Sequence, residues 1–335
     1  MFELVKNLCD KNAVGSLSDA AVFAKSQLPK NAVVKDLAGL SFAATFKGES
    51  DYEIMLEAHV DEIALIVTAI TDDGFLQIAP VGGIDPRILP ASRVKIWGKE
   101  QITGVVCSTP PHLSKGEEDC ADVTDMYVDT LMGEKAKEVV SVGDYVTFAA
   151  ETVALCGDRV AAKSLDDRAA CAVLIEIANR IATKKLPTNV TLLFADGEEL
   201  GMRGSKTATF DLTPNEAVAI DVSFASAPDV SAAKYGQLSK GALIGVSPIL
   251  NKKIGDKLIA VAKENNLPYQ IEVMGGTTGT DSDAITVTKS GVPCGLVSIP
   301  QRNMHTPCEV VDLKDIKNIC DILEQYILSG GALNA

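Results

Sequence analysis

Side chains that can bind metal ions follow the apolar segments of this sequence at several separate points. The chain has only three histidines, and two of them, His59 and His305, have carboxylates near them in the sequence. Imidazole nitrogens and carboxylate oxygens together are ligands of zinc and similar divalent cations. Two such cations can generate a hydroxide nucleophile at neutral pH. The sequence therefore predicts a two-metal hydrolytic centre, with candidate residues His59, Asp166, Asp167, Glu198, Glu199, Asp221 and His305.

The strength of this prediction lies in the shared position of the candidates, since each has an ordinary structural interpretation on its own. A single histidine is commonly a satisfied or exposed imidazole, and Asp166 could simply cap a following helix. Asp221 is different, because a carboxylate that ends a buried apolar strand requires a partner or a metal ion. Ligands of open α/β sheets bind beyond the carboxyl ends of the strands. We therefore expect the candidates to converge at one edge of a sheet.

Two changes of pattern along the chain predict how it is organised. Residues 65–150 contain short β-rich segments separated by turns, which is typical of a small barrel or sandwich. Strands alternate with helices in residues 151–335, and residues 1–64 contain helices followed by a strand. We predict an α/β fold in which a mixed sheet is sandwiched by helices, formed by 1–64 and 151–335 and interrupted by an inserted small β-barrel domain at 65–150. In the second segment we expect helices at 168–181, 250–264, 281–289 and 313–328, and strands at 190–195, 217–222, 269–273 and 295–299.

Composition excludes several classes of partner and site. The net charge is −14 and no basic cluster occurs, so nucleic acid is not expected to bind. The eight cysteines form no C-x-x-C motif, which excludes zinc-ribbon and thioredoxin-like interpretations and favours a reducing cytoplasm. We expect no signal peptide and no membrane span, because no apolar segment approaches about 20 residues.

Nine short motifs occur in a fixed order, at 59–62, 81–83, 110–113, 143–144, 163–168, 198–205, 221–223, 280–281 and 304–307. Together they resemble the motifs of the glutamyl-aminopeptidase and tetrahedral-aminopeptidase family of co-catalytic dizinc exopeptidases, which have a zinc-exopeptidase-like fold. Some members of that family carry an endoglucanase label. The resemblance extends over most of the chain, from about His59 to Val310.

The resemblance implies a division of the ligands between two divalent ions. Asp166 would bridge the ions, His59 and Asp221 would complete the first site, and Glu199 and His305 would complete the second. Zinc is the expected metal, and cobalt or manganese would also accept these nitrogen and oxygen ligands.

The resemblance also assigns residues that bind no metal. Glu198 would be the general base, and Asp61 would orient the imidazole of His59. The peptide bond between Asp166 and Asp167 would be cis. The sequence departs from the family pattern at Gly197, where glutamine is usual, and at Asn303, where tyrosine is usual. These departures border the cleft and bear on substrate preference and rate.

We therefore predict a metal-dependent aminopeptidase that acts on peptides. Another dinuclear amidohydrolase such as a deacylase is the related alternative. A glycoside hydrolase of the endoglucanase type is the alternative of a different class, but one tryptophan and 5% aromatic residues disfavour a sugar-binding groove. An inactive metal-binding protein is disfavoured by the presence of Glu198.

The resemblance implies a dimer through the β insert and a dodecamer of six dimers. The preferred N-terminal residue of the substrate stays open. A basic pocket would select an acidic residue, and an apolar pocket would select leucine.

Overall fold

The computed structural model describes residues 1–110, 112–113, 121–228, 230 and 235–334. Pro111, which belongs to the 110–113 motif, and Cys120 lie outside the described residues. The α-helices of the described part are α1 (Phe2–Cys9), α2 (Asp19–Ser26), α3 (Ala136–Val139), α4 (Leu165–Ile181), α5 (Arg203–Leu212), α6 (Lys252–Glu264), α7 (Ser282–Thr286) and α8 (Leu313–Leu328).

The strands divide into a large sheet, a closed barrel and a small sheet. The large sheet contains β1 (Val33–Asp36), β2 (Phe42–Phe46), β3 (Ser50–His59), β12 (Thr188–Ala195), β13 (Glu216–Phe224), β14 (Ala242–Val246), β15 (Tyr269–Val273) and β16 (Cys294–Gln301). The barrel contains β4 (Ala64–Ile70), β5 (Leu76–Val81), β6 (Arg93–Trp97), β7 (Gln101–Val106), β8 (Tyr127–Asp129) and β9 (Tyr145–Phe148). The small sheet contains β10 (Val153–Ala154), β11 (Arg159–Ala162) and β17 (Glu309–Asp312).

The large sheet is mixed, and its order is β1-β2-β12-β3-β13-β16-β14-β15. The four neighbouring strands β12, β3, β13 and β16 run parallel, while β2 and β14 join them in the antiparallel direction. All residues of β12 are buried, as expected for a parallel strand that is covered on both faces. The carboxyl ends of these four strands therefore meet at one edge of the sheet.

Helices cover both faces of the sheet, which confirms the predicted fold class. On one face, the apolar sides of α4, α6 and α8 share a core with alternate residues of the central strands, such as Val218 and Ile220. On the other face, α5 and α7 contribute to a smaller core that includes Met55 and Ala219. Because side chains alternate along a strand, Asp221 extends from the face that α5 and α7 cover.

The barrel is closed in the order β4-β5-β8-β7-β6-β9 and has an apolar core of its own. It follows β3 directly in the chain, so the turn after β5 can approach the edge of the large sheet. The domain boundaries at 64/65 and 150/151 stay a prediction. None of the helices in the described ranges is both long enough and apolar enough to span a membrane.

Candidate metal centre

Adjacent parallel strands bring the predicted ligands to one edge of the large sheet. His59 is the last residue of β3, and its register partner Ala195 ends the neighbouring strand β12. Glu198 and Glu199 lie in the loop that follows β12. Asp221, expected near the end of the strand predicted at 217–222, lies within β13, because pairing with β16 continues through Phe224.

The carboxylate of Asp166 contacts both predicted imidazole ligands. Its Oδ1 is 3.0 Å from Nε2 of His59, and its Oδ2 is 3.3 Å from Nε2 of His305. Although burial opposes ionisation, the contacts with His305 and His59 hold the pKa of Asp166 well below its usual value. The peptide bond between Asp166 and Asp167 is cis, as the resemblance implies. A single carboxylate thus lies between the two sets of ligands.

The ligand atoms form overlapping groups that have the dimensions of metal sites. One atom each from Asp166, Glu199 and His305 lie within 4.8 Å of one another, and these are the residues that the resemblance assigns to the second ion. Atoms of His59, Asp167 and Asp221 form a second group within the same limit, and atoms of His59, Glu198 and Glu199 form a third group that shares one residue with each of the other two. Asp167 therefore lies in the neighbourhood of the first predicted site together with His59 and Asp221.

The resemblance gives Asp167 no ligand role and names it only as one partner of the cis bond, but its environment gives it more importance. Neither of its buried carboxylate oxygens has a hydrogen-bond partner among the described residues. Burial, together with the charge of Asp221, raises its pKa well above the usual value. A buried carboxylate without partners is costly unless a cation compensates its charge.

Asp61 links His59 to the loop that carries the two glutamates. Its Oδ1 is 3.5 Å from Nδ1 of His59, and its two oxygens accept hydrogen bonds of 3.2 Å each from the main-chain N–H groups of Glu198 and Glu199. Despite nearly complete burial, which opposes ionisation, the contact with His59 holds the pKa of Asp61 below its usual value. The Nε2 atom of His59 is thereby directed toward Asp166.

Glu309 is a positioning residue that sequence reasoning missed. Its Oε2 accepts a 3.0 Å hydrogen bond from the main-chain N–H of Asp166, and its Oε1 accepts a 2.9 Å bond from that of His305. One buried carboxylate therefore fixes the backbone of two predicted ligands that are far apart in the chain. The only signal in the sequence was an acidic residue at the start of the short strand β17.

Two glycines of the 81–83 motif allow the barrel to approach the predicted ligands. Gly82 has φ = +85°, and a Cβ atom there would lie 3.2 Å from Oε2 of Glu199. A Cβ on Gly83 would lie 3.1 Å from Nδ1 of His305. In the present geometry, Nδ1 of His305 is 2.8 Å from the carbonyl oxygen of Gly83, which suits an N–H donor at Nδ1 and leaves Nε2 for a ligand bond.

The protonation of the centre is consistent with occupation by divalent cations. Burial by itself lowers the pKa of His305, but the carboxylates of Asp166 and Glu199 raise it to about 11. The pKa of His59 is also held well above its usual value, because its contacts with Asp166 and Asp61 outweigh its burial. Protons on these imidazoles compensate the same buried carboxylates that a cation would. Metal binding displaces such protons, so the donor set fits two divalent ions.

Glu198 faces the cavity in front of the other candidates. The cavity has a volume of about 420 Å³ and is lined by His59, Asp166 and Asp221 as well as by Glu198. Burial, reinforced by the charges of Asp281 and Glu199 and opposed by His59, raises the pKa of Glu198 to about 8. A group that titrates near neutral pH can both take and return a proton.

The sequence is similar to those of known aminopeptidases. The sequence profile of the M42 glutamyl aminopeptidases matches residues 41–322. A putative aminopeptidase of Acetivibrio thermocellus is 34% identical, and the alignment covers 82% of each chain. The lysyl aminopeptidase of Pyrococcus furiosus is 32% identical over 82% of this chain and 81% of its own length.

Solved structures give the same result. An aminopeptidase from the archaeon Desulfurococcus kamchatkensis superimposes with a TM-score of 0.92 at 30% identity, covering 98% of this chain and 94% of the other. A peptidase of Pyrococcus horikoshii that can assemble into a tetrahedron or a large octahedral shell has a TM-score of 0.86 at 28% identity, covering 97% and 98% of the two chains.

Proposed function

Because the chain belongs to the M42 glutamyl aminopeptidase family and is therefore a peptide hydrolase, we propose that it removes N-terminal residues with two divalent metal ions and Glu198 as the general base. The observation that carries this proposal is the position of Asp166, whose two oxygens contact the imidazoles of His59 and His305. No purely structural role requires two imidazoles and several carboxylates to gather around one buried carboxylate.

The five predicted ligands divide into two sets around Asp166. His59 and Asp221 would hold the first ion with Asp166, and Glu199 and His305 would hold the second. Zinc is the proposed metal, with cobalt or manganese as acceptable replacements. When bound, the two ions would polarise the scissile carbonyl group and lower the pKa of the attacking water molecule.

Glu198 and Glu199 have different tasks although they are adjacent. Glu199 contacts His305 at 3.3 Å and is committed to the second set of ligands. Glu198 would take a proton from the attacking water and return it to the leaving amine. The negative charge of the surrounding carboxylates attracts the α-ammonium group of a peptide, which favours cleavage at the N-terminus.

The glycosidase alternative requires two carboxyl groups that face each other across a sugar-binding groove. In this centre, Asp166 and Glu199 instead contact imidazole nitrogens. The geometry therefore favours peptide hydrolysis.

We also propose that the protein is a cytoplasmic homo-oligomer. Residues 65–150 would form the dimer contact, and residues 1–64 and 151–335 would form the catalytic domain, with dimers assembling into a dodecamer. The Pyrococcus horikoshii peptidase that forms a tetrahedron supports this proposal. Sedimentation velocity of the intact protein tests it, and a monomer at micromolar concentration would contradict it.

Replacement of Glu198 separates metal binding from catalysis. Glu198→Gln should retain two ions per chain by elemental analysis but lose on the order of 10²–10⁴-fold in kcat toward aminoacyl anilides. Glu199→Gln should instead lose metal as well as activity. Glu264→Gln, at an exposed position on α6, is the matched control. Near-normal turnover by Glu198→Gln would exclude it as the base, and activity that survives complete removal of metal by a chelator would exclude the two-metal mechanism.

A further inference from the structure

A second carboxylate faces the cavity away from the predicted metal ligands. Glu272, on the edge strand β15, lines the same cavity as Glu198. Its Oε1 accepts a hydrogen bond from the hydroxyl group of Ser223. Its Oε2 is buried and makes no hydrogen bond of ordinary geometry with the described residues, although the hydroxyl group of Ser298 lies near enough to lower the pKa of the carboxyl group. The cavity therefore contains an acceptor that the proposed chemistry does not use and that the protein leaves without a well-formed hydrogen bond.

The sheet places Glu272 within reach of a bound N-terminal side chain. Ser223, which contacts Glu272, follows Asp221 by two residues on the same face of β13, a distance of about 7 Å along the strand. Glu272 is paired with Gly245 of β14, so no large side chain stands between the edge strand and the cavity at that register position. An extended lysine side chain spans about 6 Å from Cα to its ammonium nitrogen. A residue whose α-amino group lies among the predicted ligands can thus extend to Glu272.

The walls between these two ends of the cavity suit a long aliphatic side chain. Phe224 and Tyr235 meet edge to face with ring centroids 5.6 Å apart, and both line the cavity. Met274, Leu296 and Met304 provide further apolar lining. Lysine and arginine bury their methylene stems against such surfaces while their charged ends reach a polar group, and aromatic rings attract the cation itself.

The charges in the cavity favour a cationic side chain over the other classes. Among the described lining residues there is no lysine or arginine, and the histidines contact the predicted metal-binding carboxylates. An acidic side chain would meet Glu272 without a compensating cation. An apolar side chain would leave Oε2 of Glu272 buried without a partner, which is costly. Burial raises the pKa of Glu272, the hydroxyl groups of Ser223 and Ser298 oppose this shift, and a cationic ligand would favour the ionised form.

We propose that Glu272 is the specificity-determining residue of this site and selects peptides whose N-terminal residue is lysine or arginine. This assignment of a substrate class rests on the proposed aminopeptidase function. Ser223 acts as a positioning residue that holds the carboxylate toward the cavity.

A panel of lysyl, arginyl, norleucyl and glutamyl anilides, assayed with the metal-loaded protein, tests the proposal. Norleucine has the aliphatic stem of lysine without its ammonium group, so the ratio of kcat/KM for the two substrates isolates the charge. We expect the wild type to prefer lysyl over norleucyl substrate on the order of tenfold to hundredfold. Glu272→Gln should remove this preference, with the loss of kcat/KM falling mainly on the lysyl and arginyl substrates. Glu264→Gln, the same change on the exposed side of α6, should leave both substrates unaffected.

The possible failures are distinguishable. If no anilide is hydrolysed with any metal, the proposed function falls and the inference falls with it. If norleucyl or glutamyl substrate is cleaved as well as the lysyl substrate, the function stands and the inference is wrong. An equal loss toward all substrates in Glu272→Gln would also overturn it, because the residue would then act on a part that all substrates share.

A second measurement needs only the wild-type protein. Free lysine should inhibit norleucyl hydrolysis at least about tenfold more strongly than free norleucine, and equal inhibition by the two amino acids would contradict the proposal.

Discussion

Asp61→Asn should weaken metal binding without removing any proposed ligand. In the structure, the carboxylate accepts hydrogen bonds from the main-chain N–H groups of Glu198 and Glu199 and lies 3.5 Å from Nδ1 of His59. An asparagine can accept with only one oxygen, and its NH₂ group would face an N–H donor or the imidazole. Loss of one hydrogen bond to a charged group costs about 1.5–3 kcal/mol. This energy corresponds to roughly tenfold to hundredfold in metal affinity.

Competition with a chromogenic chelator measures the change in zinc affinity, and kcat/KM on one anilide measures the change in activity. Both should fall by similar factors, since a misplaced His59 affects the ion and the reaction together. Asp256→Asn is the matched control, because its exposed carboxylate pairs with Lys252 on the surface of α6, away from the predicted ligands. Wild-type metal affinity and activity in Asp61→Asn would refute the assigned role. Thermal unfolding of the metal-free variants checks that the fold is retained.

Three further changes test other parts of the structure. Gly83→Ala should lower the occupancy of the second ion, because the new Cβ atom would crowd His305. Gly276→Ala is the control, because Gly276 has open space around it. Equal metal content of the two variants by elemental analysis would contradict this prediction. Glu309→Gln should lower metal affinity roughly tenfold or more because its carboxylate accepts main-chain N–H bonds from two predicted ligands, and unchanged zinc competition would exclude that role. Burial raises the pKa of Asp315 to about 6, so the stability that its protonated form contributes is present below about pH 4 and is lost as the pH rises through 6. In urea titrations, Asp315→Asn should therefore reduce the fall in the free energy of unfolding between these pH values by at most about 3 kcal/mol. The same pH dependence in the variant and the wild type would contradict this.

Elements with strong periodicity could be predicted from the sequence. The strand expected at 269–273 and the helix expected at 313–328 coincide with β15 and α8. The helix α5 (Arg203–Leu212) was not predicted, because its threonines, serine and glycine give a weak apolar stripe. The strand β14 (Ala242–Val246) was missed because it is short and follows a glycine-rich turn. The helix expected at 281–289 is shorter in the structure, ending at Thr286.

The candidate centre could be anticipated where ligand types follow strands, as with His59 and Glu199. Residues whose role depends on folding at a distance could not. Glu309 contacts the backbone of Asp166, which is 143 positions away in the sequence, and no local pattern indicates such a contact. Glu272 likewise lies in none of the motifs, and the sheet order brings its edge strand to the cavity.

A crystal structure of the zinc-loaded protein, with anomalous diffraction data collected on either side of the zinc absorption edge, tests the proposed metal centre most directly. We expect two anomalous peaks per chain, with Asp166 between them, His59 and Asp221 at one, and Glu199 and His305 at the other. A single peak, or peaks bound by other residues, would contradict the two-metal assignment.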